Sequence, residues 1–142
     1  MSSEAAAFAR AAEALLGVRF RLLGRDWQTG LDCAGVVLAS LAAVGRTAPR
    51  AAGYGLRNRD HAPYLALLEQ AGFHPCLGPT HTGDVIQVHP GLGQLHLLIA
   101  AADGSFIHAH AGLGRVVRTP PPLTWPVAGC WRLDPKEKST RT

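Results

Sequence analysis

The spacing of apolar residues changes once along this chain, near Gly83, and that change limits the folds open to it. Before Gly83 the apolar positions recur at helical spacing; after it they fall in short β-rich runs divided by Pro-Gly, Asp-Gly and Gly-Leu-Gly signals. Helices first and antiparallel strands second make an α+β arrangement. A helix is expected from Ser3 to Gly17, with Ser3 as cap and Phe8, Ala12, Leu15 and Leu16 on one face. Val18–Leu31 carries two glycines and mixed polarity and reads as a loop. Cys33–Val44 is apolar nearly all round, so a helix there is a buried one, closed by Gly45.

Arg46–Asp60 reads as a long connection and His61–Gly72 as a third helix, with Tyr64, Leu65, Leu67 and Leu68 on its apolar side. Strands are expected at Asp84–His89, Leu95–Ala101, Ser105–His110, Arg115–Arg118 and Ala128–Leu133, as a meander. The chain has 142 residues, which suits one core, here taken as residues 1–133, with a frayed tail over 134–142.

The formal net charge is +4 without a dense basic stripe or interleaved aromatics, which argues against nucleic acid as a partner. The longest apolar runs, Ala34–Val44 and Leu95–Ala102, are too short to cross a bilayer, and no stable membrane association is expected. Met1–Phe8 carries Glu4 and lacks a basic start, unlike a signal peptide, so synthesis in the cytoplasm is expected. Cys33, Cys76 and Cys130 have no Cys-x-x-Cys spacing, which removes a zinc knuckle and a thioredoxin-type motif. A disulfide scaffold is not expected, and Cys76 and Cys130 read as structural.

Chemistry enters at Leu31-Asp32-Cys33-Ala34-Gly35. A cysteine opening a helix meets converging N–H groups and the positive end of the macrodipole, which favour thiolate. Ala34 and Gly35 leave room beside the sulfur, and first-turn N–H groups can cradle an oxyanion. The same cysteine is also readable as a small buried hydrophobe. A thiolate needs a base. His96 opens one expected strand and His108 lies twelve positions on, across the Asp103-Gly104 turn, close enough to meet in a hairpin. A neutral His108 would then orient the His96 ring. His110 shares a face with His108 and competes for that role. The three histidines together also admit a zinc site with an open position, although no His-Glu-x-x-His helix supports it. His61, His74, His81 and His89 lie near turns and read as solvated.

Val18–Gly35, VRFRLLGRDWQTGLDCAG, resembles the nucleophile segment of the NlpC-type cell-wall cysteine peptidases, which have a Gly-Gly loop before Asp-Cys-Ser-Gly. Gly83–Gly112, GDVIQVHPGLGQLHLLIAAADGSFIHAHAG, resembles that family's three-strand region, including its Phe-Ile-His-Ala run. With the closing Leu123–Arg132 run, the pattern is most similar to the phage-tail and gene-transfer-agent branch.

The resemblance implies a papain-like fold, with Cys33 as nucleophile, His96 as base, His108 as orienting residue and Asp32 pairing with a substrate amine. It implies amide hydrolysis through an acyl-enzyme in peptidoglycan stem peptides, near D-glutamate and diaminopimelate, without a cofactor or metal. Tail proteins are the implied partners, and the wall, reached by a particle or after lysis, is the implied site of action. Three departures bear on substrate: Ala34 stands for serine, Phe20 for a cleft tyrosine and Leu23 for the first paired glycine. The same triad also serves a thiol acyltransferase or a non-wall amidase, and a structural tail module is the non-catalytic rival.

Overall fold

The computed structural model describes residues 3–46, 62–91 and 94–135. The connection before the third helix, the His61 position and nearly all of the tail lie outside them. Three helices run through the first half: α1 (Ser3–Glu13), α2 (Cys33–Ala43) and α3 (Ala62–Gln70). Between α1 and α2 sits a two-stranded ribbon of β1 (Arg25–Asp26) and β2 (Gly30–Leu31), where the sequence suggests only loop. Its strands are two residues each and carry no period long enough to detect.

The second half supplies β3 (Phe73–Pro75), β4 (Val85–Val88), β5 (His96–Ala100), β6 (Phe106–His110), β7 (Arg115–Thr119) and β8 (Val127–Leu133). They form one antiparallel sheet in the order β3-β8-β4-β5-β6-β7. The expected meander holds for β4 to β7. β8 departs from it, crossing back to lie between β4 and the short edge strand β3. Element periodicity identifies a strand but not its neighbour, and only the long return through residues 120–126 decides this pairing.

One core lies between the helices and the sheet. Phe8 and Ala12 of α1, Val36, Val37 and Leu41 of α2, and Leu68 of α3 meet Val85, Leu97, Ile99, Ile107 and Trp131. Phe8 and Phe73 touch edge to face with centroids 5.6 Å apart. Leu15 and Leu16 pack on this core from the turn after α1 rather than from within it. α2 buries nearly every side of its first two turns, as its unbroken apolar run predicts.

The opposite sheet face is also covered. Ile86, Val88, Leu98, Ala100 and Phe106 form a second cluster, with Leu123, Trp125 and Cys130 packed on it. Burial on both faces explains why β4 and β5 read as continuous apolar runs instead of alternating ones. Among the described residues, no helix is long and apolar enough to cross a membrane.

Candidate active site

Asp32 sets the start of α2. Its backbone is extended (φ −99°, ψ −170°) and its Oδ1 accepts from the Gly35 N–H at 2.8 Å, an N-cap bond that places Cys33 in the first turn. Its other oxygen accepts from the Leu23 N–H at 3.0 Å, and the Arg25 guanidinium lies 2.7 Å from Oδ1. The loop carrying Leu23, Gly24 and Arg25 is thereby fastened onto the helix end.

The two backbones come so close that a Cβ on Gly35 would meet the Gly24 carbonyl oxygen at 2.2 Å. Leu23 adopts φ +61°, a left-handed conformation favouring glycine, at the position where the resemblance expects one.

The Asp32 carboxylate is fully buried with both oxygens engaged, capping the helix and anchoring Arg25. Burial pushes its pKa up, opposed by Arg25 and by the two N–H donors. Ala34 is likewise fully buried behind the helix end and does not line the cleft, whereas Phe20 does.

β5 and β6 bring two histidines together. His96 Nε2 lies 2.8 Å from His108 Nδ1, and His108 Nε2 lies 2.7 Å from Thr119 Oγ1 on β7. One tautomer chain satisfies these contacts and leaves a base. His96 carries its proton on Nε2 and donates to His108 Nδ1; His108 carries its proton on Nε2 and donates to Thr119. The free lone pair of His96 is then on Nδ1.

Trp125 meets both rings at nearly right angles, with centroids 5.4 Å from His96 and 5.8 Å from His108. It shields the pair from water and fixes the ring planes.

His108, rather than His110, makes the contact with His96. The His110 ring stands 5.8 Å from His108, and its Nδ1 accepts from the Leu113 N–H at 3.0 Å, closing the β6–β7 turn. The three-histidine metal arrangement is not formed. The facing nitrogens of His96 and His108 are spent on each other, and the group of ligand atoms close enough for an ion is Cys76, Asp84 and Cys130, among the described residues.

Cys33, His96 and His110 line one cleft of about 550 Å³, with Phe20, Leu22, Leu95 and Trp125 among its apolar walls. The Leu97 and Ala34 N–H groups both donate toward the Cys33 sulfur. Burial nevertheless wins. It pushes the thiol up to about 12, helped by the Asp32 charge and opposed by those two N–H groups and Arg25.

Burial also pushes His96 down to about 3, helped by His108 and His110, and His108 down to about 4, helped by His110. Burial thus favours the uncharged forms of both Cys33 and His96, against the thiolate that a helix-start cysteine suggests. Elsewhere His81 is exposed, His74 is half exposed beside Asp134, and His89 lies 3.4 Å from Gln87.

Arg25, Thr119 and Trp125 escape a reading by sequence. Trp125 falls within the Leu123–Arg132 run, whose path across the sheet no local pattern gives. Thr119 is an unremarked strand threonine whose partner is set only by the β6–β7 register.

No family model matches the sequence, and no curated protein matches it. Solved structures do match in fold. NlpC1 from Trichomonas vaginalis superposes with a TM-score of 0.70 at 16% identity, over 93% of this chain and 46% of that one. RipB, a peptidoglycan hydrolase of Mycobacterium tuberculosis, superposes at 0.62 with 23% identity, over 94% of this chain and 66% of that one. An NlpC/P60 family protein from Bacillus cereus gives 0.63 and 24%, over 92% of this chain and 40% of that one. The chain thus spans about half the length of the first of these. With its helices packed on one antiparallel sheet, the chain has the α+β, papain-like fold of the NlpC/P60 structures.

Proposed function

We propose that the chain is a cysteine peptidase that hydrolyses amide bonds in the stem peptides of peptidoglycan. The observation that carries this reading is the shared cleft, in which Cys33 at the head of α2 faces a His96 already oriented by His108. A peptidoglycan hydrolase, RipB, among proteins of the same fold supports a wall substrate.

In this mechanism the Cys33 proton passes to His96 Nδ1 as the sulfur attacks the amide carbon. The Leu97 and Ala34 N–H groups and the head of α2 stabilise negative charge as it develops on sulfur. His108 and Thr119 accept hydrogen bonds along the chain and hold the imidazolium in place while it exists. His96 then returns the proton to the leaving amine, and water cleaves the thioester.

The cleft walls favour a slim, partly apolar peptide. We extend the reading to bonds near D-glutamate and diaminopimelate, and to delivery by a phage-like tail or gene-transfer particle that opens the wall from outside the membrane. Both extensions rest on the motif resemblance over Val18–Gly112.

The test is digestion of diaminopimelate-type peptidoglycan by wild type and by Cys33→Ala, read by mass spectrometry of the soluble fragments. Stem-peptide fragments with new free carboxylates are expected from wild type alone. Fragments from both proteins would remove Cys33 from the chemistry. Products joined to an added amine would make the chain an acyltransferase instead.

A further inference from the structure

We propose that Cys76 and Cys130 are a modification site, oxidised to an intrachain disulfide that ties the edge strand β3 to β8 and leaves Cys33 as the one free thiol. The register carries this. His74 pairs with Arg132 and Pro75 with Trp131, so one further step sets Cys76 opposite Cys130, and the Cys76 N–H donates to the Cys130 carbonyl at 2.9 Å. Directly opposed residues of an antiparallel pair point to the same face. Here that is the face away from the helices, since Trp131 and Leu133, which alternate with Cys130 and Arg132 along β8, enter the helix-facing core while Cys130 packs on the other cluster.

The two sulfurs are in contact at 2.6 Å, 54 positions apart in sequence. Both side chains are partly exposed, so a small or protein disulfide can reach them, whereas Cys33 is buried in a separate cluster.

The surroundings suit oxidation better than metal binding. Asp84 is the third potential ligand, but its oxygens are taken by Arg132 at 2.9 Å each and by the His81 N–H at 2.8 Å. A cation placed here would face that guanidinium. Cys130 lies on the inner strand β8, where burial pushes its thiol up, and the residue at the open sheet edge that an external disulfide meets first is Cys76.

Its sulfur breaks the S–S bond of an external disulfide and releases one thiol. The Cys130 sulfur, giving up its proton beside Asp84, then attacks the Cys76 sulfur of the mixed disulfide and releases the second thiol. The protein loses two protons and two electrons, and the external disulfide gains both. This chemistry is independent of the reaction at Cys33 and of what the cleft cleaves.

The experiment uses the full chain, treated with excess oxidised glutathione or with dithiothreitol, then denatured, alkylated and analysed by intact mass and peptide mapping. After oxidation one alkylated cysteine, Cys33, is expected, with a peptide pair linked through Cys76 and Cys130. The Tm of oxidised protein should exceed that of reduced protein by on the order of 5–10 °C, from closing a long loop of the unfolded chain. Cys130→Ser and Cys76→Ser should each abolish the cross-link and the Tm difference.

Three alkylated thiols, a stable glutathione adduct at Cys76, or a cross-linked dimer would each overturn the proposal. So would stoichiometric zinc held by the reduced protein and lost on Cys130→Ser, since that would make the pair a metal site.

Discussion

The protonation state of Cys33 admits a direct test by titration of the thiol against pH. A rise from the ordinary value of 9.0 to about 12 corresponds to about 4 kcal/mol against the thiolate. A helix N-terminus returns roughly 0.3–1 kcal/mol in a typical setting and about 2 at best, so burial outweighs it. At pH 7.5 the thiolate fraction falls to the order of 1 in 30,000, about a thousandfold below that of a free thiol with the ordinary value. The assay is the ultraviolet absorbance of thiolate followed over pH, taken as wild type minus Cys33→Ala so that Cys76 and Cys130 cancel. No step attributable to Cys33 is expected below about pH 10. A step at or below neutrality, matched by a histidine titrating upward, would show a preformed ion pair and refute the balance between burial and dipole argued here.

Four further outcomes follow from the same geometry. Thr119→Val removes the acceptor of the His108 Nε2–H bond, and kcat should fall about tenfold, the worth of one hydrogen bond, with KM little changed and Thr119→Ser restoring it. Gly35→Ala forces a Cβ against the Gly24 carbonyl, and should cost about 1–3 kcal/mol in chemical denaturation while displacing Cys33.

Because folding lowers the pKa of His96 to about 3 and of His108 to about 4, the folded state binds fewer protons than the unfolded one below pH 6.5. Their stabilising share is complete above 6.5 and is lost as pH falls, about 2 kcal/mol for each by pH 5, measurable as a urea midpoint that His96→Gln partly flattens. Asp32→Ala removes the α2 cap and leaves Arg25 without its carboxylate, so both activity and Tm should drop, whereas loss of substrate affinity alone would assign Asp32 to substrate binding rather than to the cap.

Much of the fold is legible in the residues. The apolar run of α2 demands burial, Gly45 ends it at φ +80°, and the Asp103-Gly104 turn sets up the hairpin that carries His96 and His108. The spacing of these two histidines is a sequence property, and the roles of Cys33, His96 and His108 come from the motif resemblance. The capping bond of Asp32 emerges from the structure, where its Oδ1 accepts from the Gly35 N–H. The role of Asp32 toward a substrate amine is implied by the motif resemblance.

What sequence could not decide is everything set by contacts between distant segments. β8 pairs with β4 and β3 because a long return covers the outer sheet face, and no local pattern encodes that partner. The same return places Trp125 on the two histidines and Cys130 beside Cys76. The charge state of the site is also a tertiary property. A helix start and a neighbouring histidine, taken locally, favour a thiolate, and only the packing of α2 against β5 removes the water that would have stabilised it. By itself, then, the sequence determined which groups are available and in what order, because backbone periodicity and turn chemistry act over a few residues. The tertiary structure decided which of those groups meet and what charge they carry, because burial and cross-strand register arise only when the whole chain is packed.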